Sequence, residues 1–199
     1  MTALVFGWIG TVLIVSFNLP QVWRTCVQGL TSGVPTSRAW VAIAVATLWL
    51  GYGLAGGGVI QVVLNGVTIA LNVLLLAGLR ATTERRGLLL VAGTAVLTFG
   101  LVEQGGRAAI GLVGAVVGAA VYVPQLLALR RSGPVDGVSR LALLLQLASG
   151  LCWLLYGGLR RETVVWAPNV VVILTTALTI LLLPRETTWV AAAEIPAHA

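Results

Sequence analysis

The sequence predicts an all-α integral membrane protein with seven transmembrane helices. Of its 199 residues, 58% are hydrophobic and 9% are charged, and the mean hydropathy is +1.01. So few charged side chains cannot solvate a globule of this length, and the charges that exist flank long apolar runs. A helix of about 20 apolar residues is long enough to cross a bilayer. A soluble globular class is therefore excluded.

Apolar runs bounded by charges or by Gly and Pro give the positions of the spans. They predict helices over 3–23, 38–56, 58–79, 87–103, 108–129, 140–159 and 163–183. The first run has no basic segment before it and no small-residue cleavage site, so we expect it to remain in the mature chain. Residues 185–199 form a short tail.

The basic residues predict the orientation. All 12 are Arg, and nine fall after spans 1, 3 and 5 or in the tail, whereas Arg107, Arg160 and Arg161 lie on the other side. Because cytoplasmic loops are enriched in basic residues, we expect a multi-pass cell-membrane protein with its N-terminus outside and its C-terminus in the cytoplasm. The absence of Lys is typical of a GC-rich bacterial genome. A basic balance of this kind does not indicate a nucleic-acid partner.

An internal repeat relates the two halves of the chain at an offset of 104 residues without a gap. The matches include rare residue types, and chance is a poor explanation for them. Matched pairs are Gly7 and Gly111, Gly10 and Gly114, Pro20 and Pro124, Gln21 and Gln125, Trp49 and Trp153, Tyr52 and Tyr156, and Asn65 and Asn169.

The repeat predicts the architecture. Each copy holds three spans, and an odd number would insert the second copy upside down. One extra apolar helix between the copies corrects this, so the two three-helix bundles stand parallel about an axis along the membrane normal. We expect a first bundle at 1–80, a linker helix at 81–106, a second bundle at 107–184 and a cytoplasmic tail at 185–199.

An ordered set of motifs occurs twice and resembles the PQ-loop superfamily, and within it the SWEET and SemiSWEET sugar transporters. The first copy reads Leu19-Pro20-Gln21, Thr31-Ser32-Gly33-Val34, Leu48-Trp49-Leu50-Gly51-Tyr52-Gly53 and Asn65. The second copy reads Val123-Pro124-Gln125, Asp136-Gly137-Val138, Trp153-Leu154-Leu155-Tyr156-Gly157 and Asn169. The resemblance covers 1–80 and 105–184. It implies alternating-access transport of a mono- or disaccharide, with a central pocket made by Trp49, Asn65, Trp153 and Asn169.

The paired Pro-Gln motifs are candidate hinges. Pro20 and Pro124 each remove a backbone donor near one end of spans 1 and 5, where a kink relieves the strain. Gln21 and Gln125 can bond the freed carbonyl groups or line the mouth of a pathway. The alternative is that each Pro simply marks the end of a helix.

The paired Asn residues lie about a third of the way into spans 3 and 7, where an unpaired amide facing lipid would be costly. We expect both to face the bundle. Gln61, Asn65, Thr68 and Asn72 share one helix face and form a polar stripe, which in span 7 is reduced to Asn169 and Thr176. A hydrogen bond between helices is the alternative role for each Asn.

The aromatic residues complete the predicted site. Trp49 and Trp153 lie more than a turn inside their spans, so an indole face can stack on a sugar ring while amides take its hydroxyl groups. Gln146 and Ser149 share the Trp153 face and are expected to add contacts. Tyr52 and Tyr156 are candidates for an extracellular gate, with interfacial anchoring as the alternative. An interfacial belt role fits Trp49 and Trp153 less well than it fits Trp8, Trp23, Trp40, Trp166 and Trp189.

Ionisable residues are missing from the predicted spans. All Asp, Glu and His residues lie at span edges or in the tail, which favours a passive uniporter for a neutral solute over proton coupling. Cys26 and Cys152 fit packing roles. No nucleophile, metal cluster or phosphate loop is evident, so we expect no enzyme, cofactor or metal. The sequence leaves open another neutral substrate such as an amino acid, a non-transporting receptor or assembly factor, and a homo-oligomer in which each chain carries its own pathway.

Overall fold

The structure, a computed structural model, describes residues 1–31, 34–104, 106–117 and 140–182. Within these ranges it contains seven α-helices and no β-strand. They are α1 (Thr2–Cys26), α2 (Thr36–Tyr52), α3 (Val59–Gly78), α4 (Arg85–Glu103), α5 (Arg107–Val117), α6 (Arg140–Leu159) and α7 (Thr163–Leu182). All except α5 are long and apolar enough to cross a bilayer. The predicted all-α, multi-pass membrane fold is confirmed, and the part of span 5 beyond residue 117 lies outside the described residues.

The connection between α2 and α3 is built from glycine. A short π-helical turn, Gly53–Gly57, extends α2 before the chain reverses. Gly56 and Gly58 have φ angles of +103° and +118°, which residues with a Cβ atom rarely adopt. The chain therefore turns into α3 within a few residues. None of the residues 53–58 is charged.

The first three helices form one bundle, called here unit 1, in which α3 contacts both α1 and α2. Gly7 lies beside Ile60 near the start of α1 and α3, and Cys26 lies beside Gly78 where both helices end. Helices α1 and α3 therefore run in the same direction, and α2 runs against them.

Helix α1 also packs closely against α6 of the second copy. A Cβ atom on Gly7 would lie 2.8 Å from Tyr156 Cδ2, and one on Gly10 would lie 2.9 Å from Trp153 Nε1. Since residue numbers rise along α1 as they fall along α6, the two helices are antiparallel. The absence of a side chain at the two glycines lets the aromatic rings lie on the α1 backbone.

Helix α5 packs against α2 in the equivalent way. A Cβ atom on Gly111 would lie 3.1 Å from Tyr52 Cε2, and one on Gly114 would lie 3.2 Å from Trp49 Nε1. These four residues are each 104 positions away from a member of the α1–α6 contact. The interface is therefore reciprocal, as in a twofold-symmetric dimer.

The helix directions follow from these contacts. Helices α5, α6 and α7, called here unit 2, run in the same directions as α1, α2 and α3. We call the end of the bundle at which α1, α3, α5 and α7 begin the tyrosine end. The buried core between the units consists of Tyr52, Ile60, Leu64, Ile110, Trp153, Tyr156 and Val165, with Trp49 packed against it.

Helix α4 lies on the outside of unit 1 against α2. Gly51 contacts Thr98, and Gly87 contacts the Trp40 indole, so α4 runs parallel to α2. Trp40 is only 6% exposed, and its Nε1 donates to Glu84 Oε2 at 3.1 Å. Helix α4 therefore covers the Trp40 ring, and an interfacial role for Trp40 stays a prediction. Trp8 and Trp23 are exposed on α1.

The first prediction concerns the glycine contacts. Replacing Gly7 with Ala is expected to lower the free energy of unfolding by about 1–3 kcal/mol, because the new methyl group overlaps Tyr156 and Ile60 in a packed core. Thermal unfolding of the purified protein in detergent measures this. The matched control is Gly93→Ala on α4, where nothing lies within 4 Å, and which should be neutral or stabilising by up to about 1 kcal/mol. Equal destabilisation by both variants contradicts the assignment.

Candidate functional site

The core between the units contains two equivalent aromatic pairs. The ring centroids of Trp49 and Tyr52 are 5.4 Å apart at an interplanar angle of 74°, and those of Trp153 and Tyr156 are 5.2 Å apart at 74°. An edge-to-face arrangement places the positive edge of one ring against the negative face of the other. Trp153 is buried and Trp49 is half-buried. The predicted indoles therefore lie at the unit interface with matching local geometry.

The paired Asn side chains are also held alike. Asn65 Nδ2 donates to the Gln61 carbonyl oxygen and Asn169 Nδ2 donates to the Val165 carbonyl oxygen, both at 2.7 Å. Asn65 is buried and Asn169 is half-buried. These bonds stay within one helix and fix the amide orientation. Each amide keeps a second N–H group and its oxygen for other partners.

The rest of the polar stripe on α3 is bonded in the same manner. Thr68 donates to the Leu64 carbonyl at 2.8 Å, and Asn72 Nδ2 donates to the Thr68 carbonyl at 2.9 Å. Asn72 is 9% exposed. The stripe faces the interior of the bundle and not the lipid.

The two extra contacts predicted on α6 are engaged between helices. Gln146 Nε2 donates to Thr176 Oγ1 at 3.0 Å, which ties α6 to α7 within unit 2. Ser149 Oγ donates to the Gly10 carbonyl at 3.2 Å, which ties α6 to α1 across the unit boundary. A solute that used either group would compete with these bonds.

Charged side chains join the two units at one side of the tyrosine end. Tyr52 donates to Glu162 Oε2 at 3.1 Å and accepts a hydrogen bond from Arg107 Nη2 at 2.9 Å. Glu162 also pairs with Arg107 at 3.1 Å and with Arg160 at 2.9 Å. The hydrogen bond to Glu162 raises the pKa of Arg160 above its usual value, so Arg160 stays charged. The Glu162 side chain is 11% exposed, against 37% for each Arg.

An uncharged hydrogen bond joins the two units at the other side of the tyrosine end. Tyr156 donates to Gln61 Oε1 at 3.2 Å in a buried site. The repeat explains the difference, because Gly58 occupies the position equivalent to Glu162 and supplies no carboxylate. Tyr156 is therefore bonded to an amide one turn further into α3. Tyr52 and Tyr156 are each 1% exposed, so neither ring lies at the surface.

The predicted hinge is described in one unit. Pro20 lies inside α1, six residues before its last residue, Cys26, and is exposed. Gln21 is exposed, and its Nε2 donates to Thr25 Oγ1 at 3.3 Å. Pro124 and Gln125 lie outside the described residues. The structure thus places Pro20 within the helix and not at its end.

Sequence reasoning missed the charged residues of the tyrosine end. Arg107, Arg160 and Glu162 were expected only as loop charges. The available signal was a lone carboxylate beside two Arg residues at the end where both predicted gate tyrosines lie. Among the described residues, no three His, Cys, Asp or Glu side chains gather as metal ligands.

Comparison with known proteins gives one family match. The family described as PQ loop repeat matches residues 108–166, which run from α5 into the start of α7. No curated protein matches the chain. The match covers less than a third of the chain and supports a likeness of this part to the PQ-loop superfamily, whose members are typically transporter-like.

The second prediction concerns the charged contact. Replacing Glu162 with Gln is expected to lower the free energy of unfolding by about 1–3 kcal/mol, because Arg107 and Arg160 lose the counter-charge of a carboxylate whose side chain is only 11% exposed. Thermal unfolding in detergent measures this, and added salt should shrink the difference. Arg161→Gln is the control, since Arg161 is exposed at the same end. An equal loss in both variants contradicts a specific role for Glu162.

Proposed function

We propose that the chain is a facilitative carrier that moves a neutral sugar, a mono- or disaccharide, across the cell membrane by alternating access. The observation that carries the proposal is the reciprocal contact of two like-oriented units, each presenting an equivalent Trp and Asn. A solute between such units can be exposed to either side when the units rock against each other.

The chemistry of the paired residues suits a sugar. The indoles of Trp49 and Trp153 offer apolar faces to the C–H groups of a ring. The amides of Asn65 and Asn169 are already oriented by their own helices. Each has a second N–H group and an oxygen that can bond hydroxyl groups of a solute. A site with apolar walls and a few oriented polar groups is typical of small-molecule recognition.

The distribution of charge favours a neutral solute and passive movement. The sequence places every Asp, Glu and His at the edges of the predicted spans or beyond them. A carrier that couples transport to protons needs a titratable group within the membrane. The solute is then driven by its own concentration gradient.

The closed tyrosine end defines what must break when it opens. Among the described residues, three hydrogen bonds there cross the unit boundary: Tyr52 to Glu162, Arg107 to Tyr52, and Tyr156 to Gln61. The ion pair between Arg107 and Glu162 lies wholly within unit 2 and survives opening. Opening therefore leaves no unpaired charge, because each charged partner keeps its counter-ion.

We assign the tyrosine end to the outside of the cell. It holds only Arg107, Arg160 and Arg161 of the 12 Arg residues, and Glu162 binds two of these three. The more basic side of a membrane protein faces the cytoplasm. The chain so oriented is closed to the outside.

The third prediction is the transport assay. Protein reconstituted in liposomes should equilibrate labelled glucose or sucrose without an ion gradient. Asn65→Leu and Asn169→Leu are expected to lower the flux by about tenfold or more, because each removes polar groups that bind the solute. The matched control is Thr94→Val, which removes a comparable bond to the Leu90 carbonyl on the exposed face of α4 and should leave flux unchanged.

The same assay separates the alternatives. Flux of a neutral amino acid without sugar flux would support the carrier proposal but identify an amino acid, and not a sugar, as the substrate. A folded protein that moves neither class of solute would contradict the carrier proposal and favour a receptor or assembly factor on this scaffold.

The fourth prediction tests orientation with a native thiol. Cys26 is exposed at the end of α1, opposite the tyrosine end. In a Cys152→Ser background, a membrane-impermeant maleimide should label Cys26 in inside-out vesicles and not in intact cells. The wild-type background and a Cys26→Ser variant control for labelling at Cys152 and elsewhere. Labelling in intact cells contradicts the assigned orientation.

A further inference from the structure

Gln61 has an unusual position in the core. The residue is 2% exposed, and its Oε1 accepts the hydrogen bond from Tyr156. Its Nε2 is buried and has no partner among the described residues. A buried N–H donor without an acceptor costs free energy, so a bound solute that supplied an acceptor would be stabilised there.

The neighbours of Gln61 show where that acceptor would lie. Gln61 is one turn from Asn65 on the same face of α3, and its carbonyl orients the Asn65 amide. Through Tyr156 it also contacts the opposite unit at the closed end. Gln61 thus separates the proposed solute pocket from the tyrosine end.

The second unpaired buried donor does not share this position. Trp153 Nε1 also lacks a partner among the described residues, but it faces the α1 backbone, 2.9 Å from where a Cβ atom on Gly10 would stand. The packed helix covers that N–H group. Gln61 is the better candidate to bind a solute.

Unit 2 has no equivalent of this amide. The position that corresponds to Gln61 in the repeat is Val165, which has no polar side-chain atom. The two walls of the pocket therefore differ, although the Trp and Asn residues match. An asymmetric wall can bind a sugar in one orientation.

We propose that Gln61 determines solute specificity: its Nε2 donates a hydrogen bond to one hydroxyl oxygen of the bound sugar while its Oε1 holds Tyr156. The inference rests on the proposed function. The solute then supplies the missing acceptor only while the tyrosine end is closed. Binding and closure of that end stabilise each other.

Two substitutions separate this role from a purely structural one. Gln61→Met keeps the approximate shape but removes both hydrogen bonds, whereas Tyr156→Phe removes only the bond between the units and keeps the Gln61 donor. Uptake of glucose and of sucrose by liposomes gives half-saturating concentration and maximal rate for each variant. Gln61→Met is expected to raise the half-saturating concentration about tenfold. Tyr156→Phe keeps the Gln61 donor, so it should raise the half-saturating concentration less than Gln61→Met does, and should change mainly the maximal rate.

Monodeoxy analogues of both sugars identify the hydroxyl group. Wild-type protein should bind one analogue in each set about tenfold more weakly than the parent sugar, and Gln61→Met should lose that discrimination. The inference is overturned if the two variants have equal half-saturating concentrations, or if Gln61→Met still discriminates between the parent sugar and the deoxy analogue. Neither result contradicts the carrier proposal. If wild-type protein moves neither sugar, the proposed function fails and the inference fails with it.

The double variant guards against a folding defect. Gln61→Met alone leaves the Tyr156 hydroxyl without its acceptor, whereas Gln61→Met with Tyr156→Phe removes both partners and should unfold at or above the wild-type temperature. If the single variant is unstable, the double variant is compared with Tyr156→Phe. A tenfold rise in half-saturating concentration over Tyr156→Phe supports the role, and its absence overturns it.

Discussion

The close approach of helices at paired glycines is the constraint on which the rest of this structure depends. In hydrocarbon, burial of apolar side chains does not drive helices together, so packing and directed hydrogen bonds decide which helices pair. At Gly7 and Gly10 the rings of Tyr156 and Trp153 pack directly on the α1 backbone. The second copy repeats the contact between α5 and α2. These contacts fix the two units in like orientation and place the aromatic residues at their boundary.

The repeat made the architecture predictable from sequence. Apolar run length sets the spans, and the recurrence of Trp49 as Trp153 in one register requires an extra crossing to keep both copies upright. Equivalent sequence produced equivalent geometry, down to the same interplanar angle in both aromatic pairs. The burial of the paired Trp and Asn side chains follows the same reasoning, because polar groups avoid lipid.

What the sequence could not predict are contacts between residues that the repeat does not relate. Tyr52 and Glu162 are 110 positions apart, and only the packed bundle brings a loop carboxylate to a helix hydroxyl. The burial of Trp40 depends on α4, a helix that has no counterpart in the repeat. Gln61 was recognised as polar, but its link to Tyr156 depends on a partner in the other unit.

The two sides of the tyrosine end differ at the three repeat positions that carry its charges. Glu162, Arg107 and Arg160 of unit 2 correspond to Gly58, Ala3 and Gly56 of unit 1. Glu162 supplies a carboxylate in unit 2, while the equivalent Gly58 in unit 1 has a φ angle of +118° and cannot easily be replaced by a residue with a side chain. The glycine-rich turn of unit 1 thus excludes a second ion pair. Duplication of one module has left one charged and one neutral closure.

The bonds between the units at the tyrosine end have a kinetic consequence for the proposed carrier, which has no energy source. The barrier to opening the tyrosine end includes the hydrogen bonds that join the units there. Inward and outward half-cycles can therefore differ in rate, and exchange of labelled solute can outpace net movement. Detailed balance still requires the ratio of maximal rate to half-saturating concentration to be the same in both directions. At saturating solute, such a carrier can transport at different maximal rates in the two directions, but it does not accumulate its solute.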